Sequence, residues 1–311
     1  MVRIRSSLFL AALFGLLHMA SAQAQSPRTF VSAANGNDDN DCSRPTPCRT
    51  LGAAHNKTSA DGEITVLDPG GYGGLTITKA ISIINDGVGE ASMLVSGGGN
   101  AITINAGAGD AVNIRGLTIQ GIGFGGGNGI VFNSGRSLTV QNCVIRNLGT
   151  GSGILFIPTS PFSNLAVSNT LLADSSHGVR VTGQLSPVSV ALSRVEVHNN
   201  SLAGLWVTGR RSQSGATSTN AIVVDSVFAG GSYGVMAEGA NVVVMRSAIS
   251  QNGSGVATRN SGIVRIGQSA VTGNQTGWEL EFFGGPIQSY GDNYIDGNER
   301  NDSAPPAIAK K

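Results

Sequence analysis

The residues best placed to do chemistry in this chain recur at a regular spacing. Glu238, Arg259 and Glu281 are each the fifth residue of a segment that begins Gly-apolar, and they lie 21 and 22 residues apart. If the segments stack as neighbouring parallel strands, Glu238 and Glu281 stand two strands apart, ~10 Å, with Arg259 between them. Two carboxylates at roughly 6.5–9.5 Å suit inverting glycoside hydrolysis, and this pair lies slightly beyond that range. Alternating charges on adjacent strands also form a ladder of cross-strand pairs, and this is the simpler reading. The third residues of the same segments form a second column: Arg180, Trp206, Met236, Ala257 and Glu279. An outward Trp206 can stack on a sugar ring, with Arg180 and Glu238 offering hydrogen bonds. Alternatively, the long loop 209–220 (GRRSQSGATSTN), which follows directly, covers it. Long loops on a rigid scaffold often border binding sites.

His198 and Glu196 flank Val197, with Arg146 two segments earlier. A histidine is a natural candidate base near neutral pH, although an exposed Glu-x-His on a strand is also an ordinary solvated face. His177, read as a turn residue, and His55, read as helical, gain no such support. The run Asp38-Asp39-Asn40-Asp41 offers oxygen ligands of the kind calcium takes. It lacks the EF-hand spacing, and a solvated acidic loop accounts for it as well. No other metal or cofactor is expected. Cys42 and Cys48 enclose Ser43-Arg44-Pro45-Thr46-Pro47, a loop able to fold back into a disulfide, while Cys143 sits in an apolar strand as a core residue.

The elements that must position these residues are set by a repeat. Apolar anchors fall at Ile119, Ile145, Leu172, Val197, Phe228, Ile249, Val271 and Ile295, with a mean spacing of about 25 residues, as in a solenoid of short strands. A second series runs Gly129-Ile130, Gly153-Ile154, Gly178-Val179, Gly204-Leu205, Gly234-Val235 and Gly255-Val256. A third runs Leu138-Thr139-Val140, Leu165-Ala166-Val167, Val190-Ala191-Leu192, Ile222-Val223-Val224 and Val242-Val243-Val244. Apolar and outward residues alternate in these runs and β-branched residues dominate, as in strands. Three strands per turn of about 25 residues predict an all-β, single-domain right-handed parallel β-helix of 8–10 coils. Asn200, Asn252, Asn274 and Asn298 each stand three residues after an anchor, with Ser175 in the same slot. Stacked, they predict an internal amide ladder that satisfies turn backbone.

Composition and termini complete the outline. Residues 1–24 read as a signal peptide: Arg3 and Arg5, an apolar run over 8–17, then small residues at Ala20, Ala22 and Ala24. Export to the periplasm or the outside follows. Of 20 basic residues, 18 remain without Arg3 and Arg5, against 19 acidic ones, so the chain has no electrostatic footprint for nucleic acid. The run over 8–17 is too short for a membrane span. A solenoid needs caps; residues 50–60 (TLGAAHNKTSA) are read as a helix closing the N-terminal mouth within a cap region of 25–62. The β-helix extends to residue 300 and a disordered tail occupies 301–311.

Phe30-Val31-Ser32 with Asn35-Gly36-Asn37-Asp38, then Pro47-Cys48-Arg49-Thr50-Leu51, then Asp68-Pro69-Gly70-Gly71-Tyr72, together resemble the N-terminal region of exported bacterial right-handed parallel β-helix repeat proteins of the pectate-lyase-like superfamily. The resemblance implies the fold. For activity it implies only a range, from polysaccharide lyases and glycoside hydrolases to epimerases and phage tailspikes. The R-x-P-x-x-R context of calcium-dependent pectate lyases is absent, as is the N-T-D of the galacturonases. Asp38-Asp39 lies in the N-terminal loop, and Ser176-His177-Gly178 is only superficially a G-H-G. No catalytic residue is carried over. Three readings remain: first, an exported β-helix that binds polysaccharide or a surface partner without catalysis; second, a polysaccharide lyase or glycoside hydrolase with an atypical site; third, a structural envelope protein.

Overall fold

In a computed structural model the described residues are 25–122, 126–183, 187–210 and 219–310. The expected signal peptide, and most of the 209–220 loop, lie outside them. Runs of three to five alternating residues can bury one face only if a second run turns back over it. Here two kinds of left-handed corner make the turns. In the coil that begins at Ser137–Gln141, Asn142 (φ 53°) leads into Val144–Arg146, and Asn147 (φ 59°) leads toward Ser152–Phe156. The first corner repeats at Asn169, Arg194, Asp225, Arg246 and Gln268, and the second at Asp174, Asn199, Gly230, Gln251, Gly273 and Gly297. Asn and Gly tolerate this region best.

Every strand pairing in the two sheets is parallel, and the coils stack into three faces. The first two faces, bent at the first corner, form one 19-stranded sheet among the described residues; the third is a nine-stranded sheet. The eight sequence anchors stand in one register, Ile119–Ile145–Leu172–Val197–Phe228–Ile249–Val271–Ile295. All but Ile295 are fully buried in the core.

A polar ladder lines the inside of the second corner. Asn252, Asn274 and Asn298 are buried; Asn274 Oδ1 accepts from Asn252 N and Nδ2 at 3.0 Å each, and Asn298 Oδ1 accepts from Asn274 N at 3.1 Å and Nδ2 at 2.9 Å. Asn200 accepts from Ser175 N at 3.2 Å. From Gly129 to Gly277, the glycine at the start of each third-face strand has no room for a side chain. At Gly234 a Cβ would lie 2.6 Å from both Gly255 O and Ile249 Cγ2. Over these coils the backbone of the next coil occupies the space a side chain would need.

The ends differ from expectation. The helix is Leu51–Lys57, shorter than the 50–60 read from sequence, because Thr58 turns extended and opens the strand Thr58–Val66, which pairs with Ser26–Val31 and Ile81–Ile84. Thr50 caps the helix, and Leu51, Ala54 and His55 are buried beneath it. The tail, expected to be disordered, is laid along the last coil. Gly277 N donates to Arg300 O, Trp278 Nε1 to Ser303 O, and Ile308 N to Ser289 O, while Lys310 pairs with Asp292 at 2.7 Å. The unpaired edge of the final coil supplies donors and acceptors that a short polar segment can satisfy. Cys42 and Cys48 form the expected disulfide, and Cys143 is free and buried.

Candidate functional site

The outward columns of the third face stand in the register their spacing implies: Arg180–Trp206–Met236–Ala257–Glu279, and Thr182–Thr208–Glu238–Arg259. Parallel stacking thus brings side chains from five coils onto one surface. Glu238 accepts from Trp206 Nε1 at 3.1 Å and from Asn260 Nδ2 at 2.8 Å. Arg259 binds Glu281 through Nε, at 3.0 Å, and through a terminal guanidinium nitrogen. The Tyr233 hydroxyl donates to the other oxygen of Glu281, and the Ser254 hydroxyl donates to Glu279.

The charge ladder is therefore partial. Arg259 pairs with Glu281, whereas Glu238 spends its oxygens on Trp206 and Asn260. Trp206 is half-buried rather than an open plate, with the Arg259 guanidinium over its ring, 5.5 Å from the centroid. The edges of Trp206 meet His177 at 5.7 Å and Tyr233 at 5.9 Å between ring centroids. The Arg259 guanidinium also lies 5.9 Å from the centroid of the Phe282 ring. Tyr233 reaches diagonally to Glu281, two coils on, and so crosses the column of Met236 and Ala257, which have no exposed surface despite facing outward.

These contacts set the protonation states. Burial alone would raise the Glu281 carboxyl, but the Tyr233 hydroxyl and the Arg259 guanidinium outweigh it and hold the group below its ordinary value. Tyr233 is pushed up to about 12, by burial first and then by its bond to Glu281 and that group's charge. His177 is lowered to about 4, by burial and then by the charge of Arg180, and is neutral at physiological pH. Its Nδ1 lies 3.1 Å from the Ser176 hydroxyl.

Sequence reasoning missed four residues here. His177 is not a turn residue but opens the strand His177–Gly183. It and Tyr233 stand three residues before the outward Arg180 and Met236, an odd offset that strict alternation assigns to the interior, yet both rings reach Trp206. Phe282 and Phe283, 77% and 90% exposed, follow the last strand, where no later segment marks their phase. Phe283 lines a shallow cavity of about 410 Å³ with Thr208, Arg210, Glu238, Asn260 and Ser261.

Other candidates lie elsewhere. His198 and Glu196, 3.8 Å apart, end the strand Val188–His198 on the second face, so they do not join the Trp206 cluster. In the acidic loop, Asp38 accepts from Arg49 N, Thr50 N and the Thr50 hydroxyl, and Asp41 from Ser43 N and the Thr46 hydroxyl. Among the described residues no group of three or more His, Cys, Asp or Glu side chains is arranged to hold a metal ion. The Asp68 to Tyr72 turn is also structural: Tyr72 is fully buried and donates to Asp68, which also accepts from Ser32 and Ala33 N.

No family model and no curated protein matches the chain. Among solved structures it is similar to the pectate lyase Pel9A, at 14% identity and a TM-score of 0.60, over 92% of this chain and 80% of that one. It is also similar to the pectin methylesterase from Aspergillus niger, at 12% identity and a TM-score of 0.50, over 93% of this chain and 91% of that one. At such identities the likeness shows the fold alone: this chain is a right-handed parallel β-helix, as those two proteins are. No helix among the described residues is long and apolar enough to cross a membrane.

Proposed function

We propose that this is an exported carbohydrate-binding β-helix whose third face holds a polysaccharide without turning it over. The observation that carries the reading is the pairing of exposed Phe282 and Phe283 with fixed polar groups. Glu238, Asn260 and Arg259 are held by hydrogen bonds on a strand scaffold, beside two aromatic rings open to solvent. Aromatic rings flanked by a few oriented polar groups suit a sugar, which has apolar ring faces and hydroxyl edges. Arg180, exposed beside Trp206, extends the polar rim. The disulfide suits an oxidising compartment.

Chemistry is poorly supported by the same groups. Acid catalysis of glycoside cleavage needs a carboxyl whose pKa is raised. Among the described residues, every carboxyl with a resolved shift is lowered, Glu281 included. Arg259, the cation between the two carboxylates, is already neutralised by Glu281. The test is affinity electrophoresis against soluble neutral and acidic polysaccharides, run beside assays for reducing ends and unsaturated products. Retardation without product, weakened in Phe283→Ala, is expected. Product formation abolished by Glu238→Gln or Glu281→Gln would replace the binding reading with the enzymatic one.

A further inference from the structure

A second cavity lies on the first face, away from the Trp206 surface. It measures about 860 Å³ and is walled on one side by the tail residues Ile308, Ala309 and Lys310. Its floor is apolar. Met245 and Gly267 are register neighbours, and Tyr290 follows in the next coil, its N–H donating to Ile266 O. A Cβ on Gly267 would lie 2.8 Å from Met245 Sδ and 3.0 Å from Tyr290 Cδ2. The missing side chain leaves room for both the thioether and the ring over Gly267, and Val243 and Ile308 also line the cavity.

Above this floor stands Arg265, in register between Val243 and Gln288. It is half-buried, and among the described residues its side chain makes no hydrogen bond or ion pair. The other cation of the cavity, Lys310, is held by Asp292, which also accepts from Gln268 N. A guanidinium presents planar, paired donors that match a carboxylate, and a partly desolvated one without a partner favours an anion.

We propose that this cavity binds a small amphipathic carboxylate, an aromatic or short acyl acid, with its carboxylate on Arg265 and its apolar body on Tyr290, Met245 and Val243. The floor is apolar, unlike the third-face cavity, so an apolar body fits better than a hydroxylated ring. The site is independent of the carbohydrate reading, because it shares no residue with the third face.

The test is isothermal titration of the full chain with 3-phenylpropionate and with its neutral amide. Expected are saturable binding of the acid at one site, at least tenfold weaker binding of the amide, and a tenfold or greater loss for the acid in Arg265→Gln. Tyr290→Ala should weaken acid and amide alike, and Phe283→Ala should change neither. The Arg265 side chain makes no hydrogen bond or ion pair among the described residues, so Arg265→Gln should keep the wild-type melting temperature. Absence of binding, equal affinity for acid and amide, an unaffected Arg265→Gln, or preference for galacturonate over phenylpropionate would overturn the proposal.

Discussion

Glu281→Gln is the sharpest perturbation of the third face. Glu281 accepts from the Tyr233 hydroxyl and from two nitrogens of Arg259, and the two charged side chains are 17% and 26% exposed. Exposed pairs contribute about 0–1 kcal/mol, and removing one member of a buried pair costs about 3–5 kcal/mol. This pair lies between, so the substitution should destabilise the fold by about 2 kcal/mol, the midpoint of those limits. In a double-mutant cycle with Arg259→Gln, measured by urea denaturation, the coupling should be ~1–2 kcal/mol. A folded-state carboxyl pKa below its unfolded value adds stability that is complete above the unfolded value and lost as pH falls through the folded one. The coupling should therefore fade below about pH 4. Tyr233 supplies an independent readout, since part of its elevation to about 12 comes from Glu281. In Glu281→Gln its ultraviolet titration should move down toward the ordinary tyrosine range. Coupling below ~0.5 kcal/mol, together with an unmoved Tyr233 titration, would refute the network.

Two further outcomes rest on buried positions of the same fold. His177 sits at about 4 when folded against roughly 6.5 unfolded, so the unfolded chain takes up its proton first. Stability should fall by up to about 3 kcal/mol between pH 6.5 and 4, and His177→Asn should flatten that slope in pH-dependent denaturation. Gly234→Ala pushes a Cβ to 2.6 Å from the Gly255 carbonyl, a backbone atom that cannot swing aside. It should cost about 1–3 kcal/mol in urea melts, whereas Gly71→Ala, whose Cβ meets only Ser92 Oγ at 3.8 Å, should be nearly neutral.

Much of this architecture was legible in the chain because a solenoid writes its geometry as a period. The anchors from Ile119 to Ile295 needed only counting, and the outward columns followed from Gly-apolar steps. The ends carried no such period. Thr58 belongs to a strand because Ser26–Val31 pairs with it, a contact 32 residues away that local propensity does not contain. The tail is ordered by the open edge of the last coil, and its composition gives no sign of that. At the candidate site, the positions of Trp206, Glu238 and Arg259 were legible, but their partners were not. His177 reads as a turn residue because it follows Ser175-Ser176, whereas it pairs with Ala203 at the start of a strand, and Phe282 and Phe283 lie beyond the last third-face strand.

The central claim is that the third face, and not the second, holds the carbohydrate. Its most direct test is calorimetric titration with a polysaccharide that retards the wild type, using Phe283→Ala and Asn260→Ala against Glu196→Ala and His198→Ala. The account predicts a loss of about tenfold or more, ~1.4 kcal/mol, in both third-face variants, unchanged affinity in the second-face pair, and no product in any sample. Unchanged binding in the third-face variants, or loss confined to Glu196→Ala and His198→Ala, would contradict it.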